Sequence, residues 1–369
     1  MLNANQLEMI AALRRALHKC PERSGQEKRT MAAIASFLKD HTSLTVQDMG
    51  GWLLASHWEG DSLPAVGFRA DMDALPTGAN GARHGDDARH GCGHDGHSAM
   101  LCGLGLLLEG RRVGKNVHLV FQAAEETGEG ARRIIDSWPG LGSLQAIYAL
   151  HNIPGFPRGA VLMRRGCFAC ASCGHIVHLT GQPAHAAYPG DGANPIELLC
   201  RLALETPDMI SEILNGDDRL LMRTLIGLNA GGGDFGISAH EGRLCQTLRG
   251  HRKADIDALV QKIEARAQAG CSGASLKCDF EIRDAFPDTT NDDDRFDDVL
   301  ARFNAAQLPV RLLDEPMRWS EDFGWLLKKV PGVYFGIGAG EACPGLHTDG
   351  YEFDDGLIEA GVKVLESLL

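Results

Sequence analysis

Four short apolar runs in this sequence each end in, or lead to, a side chain that can act as an acid or a metal ligand. They cover residues 64–68, 117–124, 146–150 and 333–337, and they lead to Asp71, to Glu125 and Glu126, to His151 and to His347. Helical patterns lie between these runs, and such alternation is typical of an α/β fold with a largely parallel sheet. Because ligands bind beyond the carboxyl ends of parallel strands, we expect these side chains to share one edge of the sheet.

The stretch from Arg89 to His97 adds a second polar cluster, which contains a thiol, three imidazoles and a carboxylate. The apolar run 98–108 follows directly and is long enough for a buried helix, so the cluster is predicted to lie at a helix N-terminus. Cys92 and His94 carry side chains that bind borderline metals. On these residues alone, a metal site and a polar turn that caps the helix are both open.

Glu125 and Glu126 are adjacent carboxylates at the end of a predicted strand. Two such groups repel each other, so burying them requires a reason such as a cation. A two-metal hydrolase has a use for both, because one carboxylate binds metal while its neighbour takes a proton from water. The alternative is a solvated loop start. The other metal-competent residues favour the metal site: Cys92, His94, His151 and His347.

The order of predicted elements indicates two domains. Residues 7–17 have helical spacing, and Ser24 followed by Glu27 is a possible capping box for a second helix that runs to about Lys39. In the middle of the chain, the order β-α-β-β-α-β resembles a ferredoxin-like module. We therefore predict an inserted α+β domain at 169–285, and a discontinuous α/β catalytic domain built from 1–168 and 286–369.

Composition excludes several other classes of protein. A chain of 369 residues is long enough for two domains, and its net charge of -13, without a basic run, argues against a nucleic-acid partner. The longest apolar stretches, about ten residues, are too short to span a membrane. The first fifteen residues lack the pattern of a signal peptide. Eleven cysteines, an odd number in a large chain, fit reduced thiols in the cytoplasm.

Seven motifs together resemble the dinuclear-metal aminoacylase and carboxypeptidase family. The closest resemblance is to its amidohydrolase branch, which includes hippurate hydrolases, N-acyl-amino-acid deacylases and auxin-conjugate hydrolases. The motifs occur in family order over nearly the whole chain, at residues 69–76, 91–97, 121–126, 150–152, 181–186, 320–323 and 346–348. The resemblance implies a metallopeptidase-type catalytic domain with a mainly parallel sheet, and a ferredoxin-like domain for dimerisation or as a lid.

The resemblance also implies a role for each residue of the metal site. Two divalent ions, zinc or manganese first and cobalt or nickel as alternatives, would be bound by five ligands, with Cys92 bridging: Cys92, His94, Glu126, His151 and His347. Glu125 would act as general base and acid on a water shared by the ions. Asp71 would lie behind the ligands and orient one of their imidazoles.

Two further residues come from the inserted domain. The family comparison implies that His185 stabilises an oxyanion in the site of a partner subunit, which would make the active unit a homodimer. It also implies that Arg249 binds a substrate carboxylate, a bidentate role that suits a guanidinium. On sequence alone, a turn histidine and a surface arginine stay open. The chain departs from the family at Gly236, where an asparagine is usual, and in the Gly-, Ala- and Asp-rich loop 77–88.

The expected activity is metal-dependent hydrolysis of the amide bond of an N-acyl amino acid or a small aminoacyl conjugate. Two alternatives stay open, namely a dipeptidase or carboxypeptidase of the same family and a catalytically silent homologue that binds amino-acid-like ligands. The complete ligand set and the intact Glu125 argue against the silent homologue.

Overall fold

A computed structural model of the chain describes residues 2–77 and 88–369, so most of the loop 77–88 lies outside the described residues. The chain divides into two compact units. The first comprises Met1–Phe168, Thr289–Pro316 and Glu321–Leu369, and the second comprises Ala169–Asp288 and Met317–Ser320. The sequence had suggested domain boundaries after residues 168 and 285. A role of the second unit in dimerisation or as a lid stays a prediction.

The strands and helices are numbered here in chain order. The strands are β1 (Thr45–Asp48), β2 (Leu53–His57), β3 (Ala65–Asp71), β4 (Leu75–Pro76), β5 (Ala88–Arg89), β6 (Asn116–Gln122), β7 (Leu144–Pro154), β8 (Val161–Met163), β9 (Cys167–Ala169), β10 (Ala171–Thr180), β11 (Leu221–Ala230), β12 (Glu241–Gly250), β13 (Lys277–Phe286), β14 (Thr289–Thr290), β15 (Val310–Leu312) and β16 (Gly332–Gly340). The α-helices are α1 (Ala4–His18), α2 (Lys28–His41), α3 (His94–Leu108), α4 (Gly130–Ser137), α5 (Ile196–Leu214), α6 (Lys253–Ala274), α7 (Asp293–Ala305), α8 (Gly324–Leu327) and α9 (Leu357–Glu366).

The first unit is built on an eight-stranded sheet in the order β1-β2-β6-β3-β7-β16-β8-β15. The four central strands, β6, β3, β7 and β16, pair in parallel, whereas β1, β2 and the β16–β8 pair are antiparallel. These central strands are the four apolar runs of the sequence. The predicted α/β class with a largely parallel sheet is therefore confirmed, and the side chains that follow the four runs come from neighbouring strands.

Helix α3 is the buried helix predicted after the polar cluster. Every residue from His94 to Leu108 is buried, because the helix packs among α1, α2 and α9 and against the sheet. Gly93, at its N-cap, has a φ of 98°, and a Cβ there would lie 2.2 Å from Asn152 Oδ1. Only glycine accommodates both constraints, and it lets the Cys92–His94 turn approach strand β7 closely.

The predicted capping box of α2 is wrong. The helix begins at Lys28 with Glu27 at the N-cap position, and the Glu27 side chain forms no capping bond there. Ser24 Oγ instead donates a hydrogen bond to Asp73 Oδ2 (2.7 Å), and the Glu27 carboxylate accepts from the backbone of Gly25 and Ala124. Both side chains of the supposed box are thus used to support other segments of the first unit.

The second unit has the predicted element order, β10-α5-β11-β12-α6-β13. Its sheet has the order β11-β12-β10-β13 with antiparallel neighbours, which is the ferredoxin-like arrangement. Its core includes Val177, Leu199, Leu244, Leu259 and Ile263 from the helices and from one face of the sheet. Helix α5 runs to Leu214 through Pro207, a residue type that usually breaks a helix.

Among the helices of the described residues, none combines the length and the apolar character that a membrane span requires.

Candidate metal centre

The predicted site residues of the first unit converge at the carboxyl ends of the central strands. Asp71 is the last residue of β3, Glu125 and Glu126 follow β6, and His151 lies on β7. His347 lies in the loop after β16, while Cys92 and His94 flank Gly93 at the start of α3. Three sets of residues with ligand atoms within 4.8 Å of one another contain the predicted metal ligands: Cys92, Glu126 and His347; His94, Glu125 and Glu126; and Asp71, His94, His97 and His151.

Cys92 lies between two of the histidines. Its Sγ is 3.4 Å from His151 Nε2 and 3.4 Å from His347 Nε2. Glu126 Oε1 in turn lies 3.6 Å from His347 Nε2 and 3.8 Å from His94 Nε2. A thiolate in this position can contact two ions at once, which suits the bridging role that the family resemblance implies.

Two backbone carbonyls and one carboxylate fix the imidazole rings of His94 and His151 from behind. His94 Nδ1 is 3.0 Å from the Asp73 carbonyl oxygen and 3.1 Å from Asp73 Oδ1, and His151 Nδ1 donates to the Asn152 carbonyl (2.8 Å). Each ring therefore presents Nε2 to the centre, as in metal sites whose outer ligands set the tautomer. His94 Nε2 and Glu126 Oε1 are buried, with no hydrogen-bond partner among the described residues. Such unsatisfied lone-pair atoms fit a bound cation.

The role predicted for Asp71, to orient a ligand imidazole, stays a prediction, and the His94 ring forms its hydrogen bond with Asp73. The Asp71 carboxylate instead accepts a hydrogen bond from His97 Nδ1 (2.6 Å), and it approaches His94 Nε2 only to 3.8 Å. His97 Nε2 lies 2.6 Å from Asn152 Oδ1. Sequence reasoning assigned no role to Asp73, His97 or Asn152. The signal was present, because each stands beside or close to a predicted site residue in a quoted motif.

Strong pKa shifts accompany the burial of so many ionisable groups. Burial raises the pKa of the Cys92 thiol well above its usual range, and nearby Glu126 adds to this. Burial also raises the pKa of Glu126 to about 7. The pKa of Glu125 lies well above its usual range because of burial first and then the charges of Glu321, Glu126 and Asp322. A divalent cation would favour the deprotonated forms of these ligands. The raised pKa values thus fit a site whose buried acidic groups need a positive charge beside them.

His347 is held in a backbone conformation that L-residues rarely adopt, with a φ of 64°. Its N–H donates to the Gly91 carbonyl (2.8 Å). The guanidinium of Arg89 donates to the carbonyls of His347 (2.8 Å) and Thr348 (3.0 Å). These bonds connect the loop after β16 to the segment that carries Cys92, and they hold the backbone of His347.

Arg69 is a buried cation behind the site, with only 2% of its surface exposed. Its guanidinium donates to Asp71 Oδ2 (2.8 Å), Glu321 Oε1 (2.9 Å) and Asp322 Oδ1 (3.1 Å). Carboxylate oxygens of Glu321 and Asp322 also lie within 4.8 Å of a carboxylate oxygen of Glu125. Arg69 thus compensates three carboxylates next to the predicted base. Residues 69–76 and 320–323 were matched only as family motifs, so this pairing across 252 residues was not predicted.

We expect Arg69→Met to lower the free energy of unfolding of the first unit by about 3–5 kcal/mol, because three buried carboxylates lose their cation. Urea unfolding followed by tryptophan fluorescence measures this change. The control is Arg158→Met, which removes the exposed ion pair with Asp354 and should change stability by less than about 1 kcal/mol. Equal effects of the two substitutions would contradict the role given to Arg69.

His185 and Arg249 both lie in the second unit. His185 is in the exposed loop after β10, where its Nδ1 accepts from the Ala187 N–H (3.0 Å) and its backbone bridges Ile237. Arg249 lies near the end of β12 and donates to the Arg318 carbonyl and to Ser320 Oγ (2.8 Å). Gly236, at the position of the family asparagine, accepts from the Ala186 N–H (2.9 Å), so it borders the His185 loop.

Comparisons with known proteins identify the family of this chain. Residues 67–369 match the family model described as peptidase family M20/M25/M40. The N-acetyldiaminopimelate deacetylase of Lacticaseibacillus casei is 27% identical, over 98% of this chain and 97% of the relative. The N-acetyl-L-cysteine deacetylase of Bacillus subtilis is 28% identical, over 99% of this chain and 89% of the relative.

Two solved structures share the fold. A putative aminohydrolase from methicillin-resistant Staphylococcus aureus has a TM-score of 0.89 at 22% identity, covering 99% of this chain and 96% of its own. A Bacillus subtilis dinuclear metal binding peptidase from the M20 family has a TM-score of 0.81 at 23% identity, covering 100% and 98%. The predicted family resemblance is confirmed, and the chain belongs to peptidase family M20/M25/M40.

Proposed function

We propose that this protein is a metal-dependent amidohydrolase that cleaves the amide bond of an N-acyl amino acid or a small aminoacyl conjugate. The observation that carries the proposal is the convergence of a thiol, three imidazoles and a carboxylate beside the buried Glu125. Two relatives that match nearly the whole chain are named as deacetylases of N-acetylated amino acids, and these names support the substrate class.

The metal-binding residues would be Cys92, His94, Glu126, His151 and His347. When bound there, two divalent ions would supply a Lewis acid for the amide carbonyl and favour deprotonation of a water. The mixed sulfur, nitrogen and oxygen donors suit zinc, and the carboxylate also admits manganese, cobalt or nickel. Asp73 and the Asn152 carbonyl would keep the His94 and His151 rings turned toward the ions.

Glu125 would carry the proton during the reaction. Its carboxylate would accept a proton from the attacking water and later give it to the leaving amine, so that one residue acts first as base and then as acid. Burial raises the pKa of Glu125, which matches a group that must hold a proton between the two steps. Arg69 would limit the repulsion of Glu125 by Glu321 and Asp322.

The second unit would complete the site of a partner subunit. His185 would stabilise the oxyanion across a homodimer, and Arg249 would bind the substrate carboxylate. Strand β11 is an edge strand with exposed apolar side chains, among them Leu225, Ile226 and Leu228, and such an edge is suited to pairing with another copy. The glycine at position 236, in place of the usual asparagine, would alter the part of the site next to His185.

We expect His185→Ala to lose most of its activity while keeping its metal content and its sedimentation as a dimer. Mixing it with Glu125→Gln tests the contribution across subunits. After dissociation and reassociation, one site of each mixed dimer would combine an intact Glu125 with an intact His185. Recovered hydrolysis is the expected result, and mixed dimers as inactive as the parent variants would contradict a role across the interface.

The rival activities differ in the substrate that they accept. A panel of N-acetyl and N-benzoyl amino acids, dipeptides and tripeptides, assayed on the metal-loaded protein, separates them. Preference for N-acyl amino acids supports the proposal, preference for peptides makes the protein a dipeptidase or carboxypeptidase, and binding without turnover makes it a silent homologue. The cysteine content supports a cytoplasmic location, where thiols stay reduced.

A further inference from the structure

Ala124, the residue before Glu125, has an unusual backbone conformation. Its φ is 55°, in the left-handed region that L side chains rarely adopt, and the residue is only 1% exposed. A non-glycine residue keeps such a conformation only where its surroundings impose it. The direction in which the chain leaves β6, and hence the position of the Glu125 carboxylate, depends on whatever imposes it.

Glu27 makes the contact with the amide of this residue. The Ala124 N–H donates to Glu27 Oε1 (2.9 Å), and the same oxygen accepts from the Gly25 N–H (2.9 Å). On the other side of the peptide, the Ala124 carbonyl accepts from the Gly130 N–H (3.0 Å). Glu27 is 3% exposed, so its carboxylate lies inside the first unit rather than in solvent.

The position of Glu27 on its own helix makes this contact informative. It occupies the N-cap of α2, yet its side chain forms no capping bond there and instead reaches a residue 97 positions away. The start of α2 is held by another residue, because Glu22 Oε2 accepts from the Thr30 N–H (2.9 Å) and hydroxyl (3.0 Å). Glu22 therefore supports the start of α2, whereas Glu27 supports the turn that carries Glu125.

Glu126 has an anchor of its own. Its N–H donates to Asp73 Oδ2 (3.0 Å), which also accepts from Ser24 Oγ. The adjacent carboxylates are thus supported from two sides, Glu125 through Ala124 and Glu27, and Glu126 through Asp73. Removing Glu27 leaves the contact that positions Glu126 in place.

We propose that Glu27 is a positioning residue for Glu125, which it holds in place by fixing the left-handed conformation of Ala124. The inference rests on the proposed role of Glu125 as the base. If so, the segment before α2 helps to support the active site. The sequence had indicated only a helix cap in this segment.

Hydrogen–deuterium exchange of the full-length protein tests the contact without any substrate. In Glu27→Ala, amides of segment 122–130 should exchange faster than in the wild type, whereas Glu27→Gln, whose amide oxygen can still accept from Ala124, should protect them. Glu22→Ala is the matched control and should loosen the start of α2 while leaving 122–130 protected. Unchanged exchange of 122–130 in Glu27→Ala, or equal opening in Glu22→Ala, would overturn the proposal.

Kinetics on the same variants tests the consequence. We expect Glu27→Ala to lower kcat about 100-fold, as a small misplacement of a catalytic group can, with KM and metal content little changed. Glu27→Gln should restore most of the rate. If Glu27→Ala does not fold, Glu27→Asp keeps the charge, shortens the reach by one methylene and should show the same direction in both assays. A folded variant that lacks the contact but keeps the wild-type kcat would overturn the inference. If the wild-type protein itself were inactive, that result would count against the proposed function, and the exchange experiment would still test the role of Glu27.

Discussion

Glu125→Gln should retain two metal ions and lose about 10²–10⁴-fold in kcat, the range that a general acid–base group contributes. The amide matches the carboxylate in size but cannot accept a proton from water at neutral pH. The predicted ligands Cys92, His94, Glu126, His151 and His347 remain, so the metal site keeps its donors. Steady-state kinetics with elemental analysis of the same preparation measures both quantities.

Glu126→Gln is the matched control, because it makes the same chemical change one residue further along the chain. Glu126 Oε1 lies near the Nε2 atoms of His94 and His347 and has no hydrogen-bond partner among the described residues, so this variant should lose metal together with activity. If Glu125→Gln kept its full rate, or if Glu125→Gln lost metal while Glu126→Gln kept it, the assigned roles would be contradicted.

Cys92→Ala should weaken metal binding more than about 100-fold, beyond what the loss of an outer contact to a ligand causes, and should abolish turnover at ordinary metal concentrations. The reason is the position of Sγ, which lies 3.4 Å from the Nε2 atoms of both His151 and His347. Losing this atom removes a donor shared by the two halves of the cluster. Isothermal titration of the metal-free protein with zinc measures the affinity.

Cys102→Ala provides the comparison for that experiment. Cys102 lies on α3, ten residues after Cys92 in the chain, and it is also buried. It packs in the apolar core rather than among the ligands. Its replacement should reduce stability slightly and leave zinc affinity unchanged. Wild-type affinity in Cys92→Ala would remove this thiol from the site, and equal losses in both variants would indicate general damage to the helix.

The strands that carry the site could be predicted because their signal is local. Each apolar run is bounded by polar residues, and the ends of parallel strands meet at one edge, so Asp71, Glu125, His151 and His347 could be grouped before any coordinates. Burial of α3 also followed from an apolar run. In the second unit, the order of elements together with chain connectivity was enough to indicate the ferredoxin-like arrangement.

The support of the site could not be predicted, because its hydrogen bonds join residues far apart in the chain. Ser24 and Glu27 have the spacing of a capping box, and nothing local shows that Asp73 and Ala124 compete for them. Asp71 and Asp73 are two residues apart, and only the direction of each side chain decides which one contacts His94. Arg69 in an apolar strand was a sign of a buried ion pair, but its partners lie at the other end of the sequence.

Metal content measured together with chelator-sensitive hydrolysis tests the central claim most directly. The purified protein would be analysed for metals and assayed on a panel of N-acyl amino acids before and after dialysis against a chelator, and again after adding zinc or manganese. We predict about two ions per chain, turnover that chelation abolishes and turnover that the added metal restores. A protein that binds no metal under any supplementation, or that hydrolyses these substrates equally well without metal, would contradict the claim.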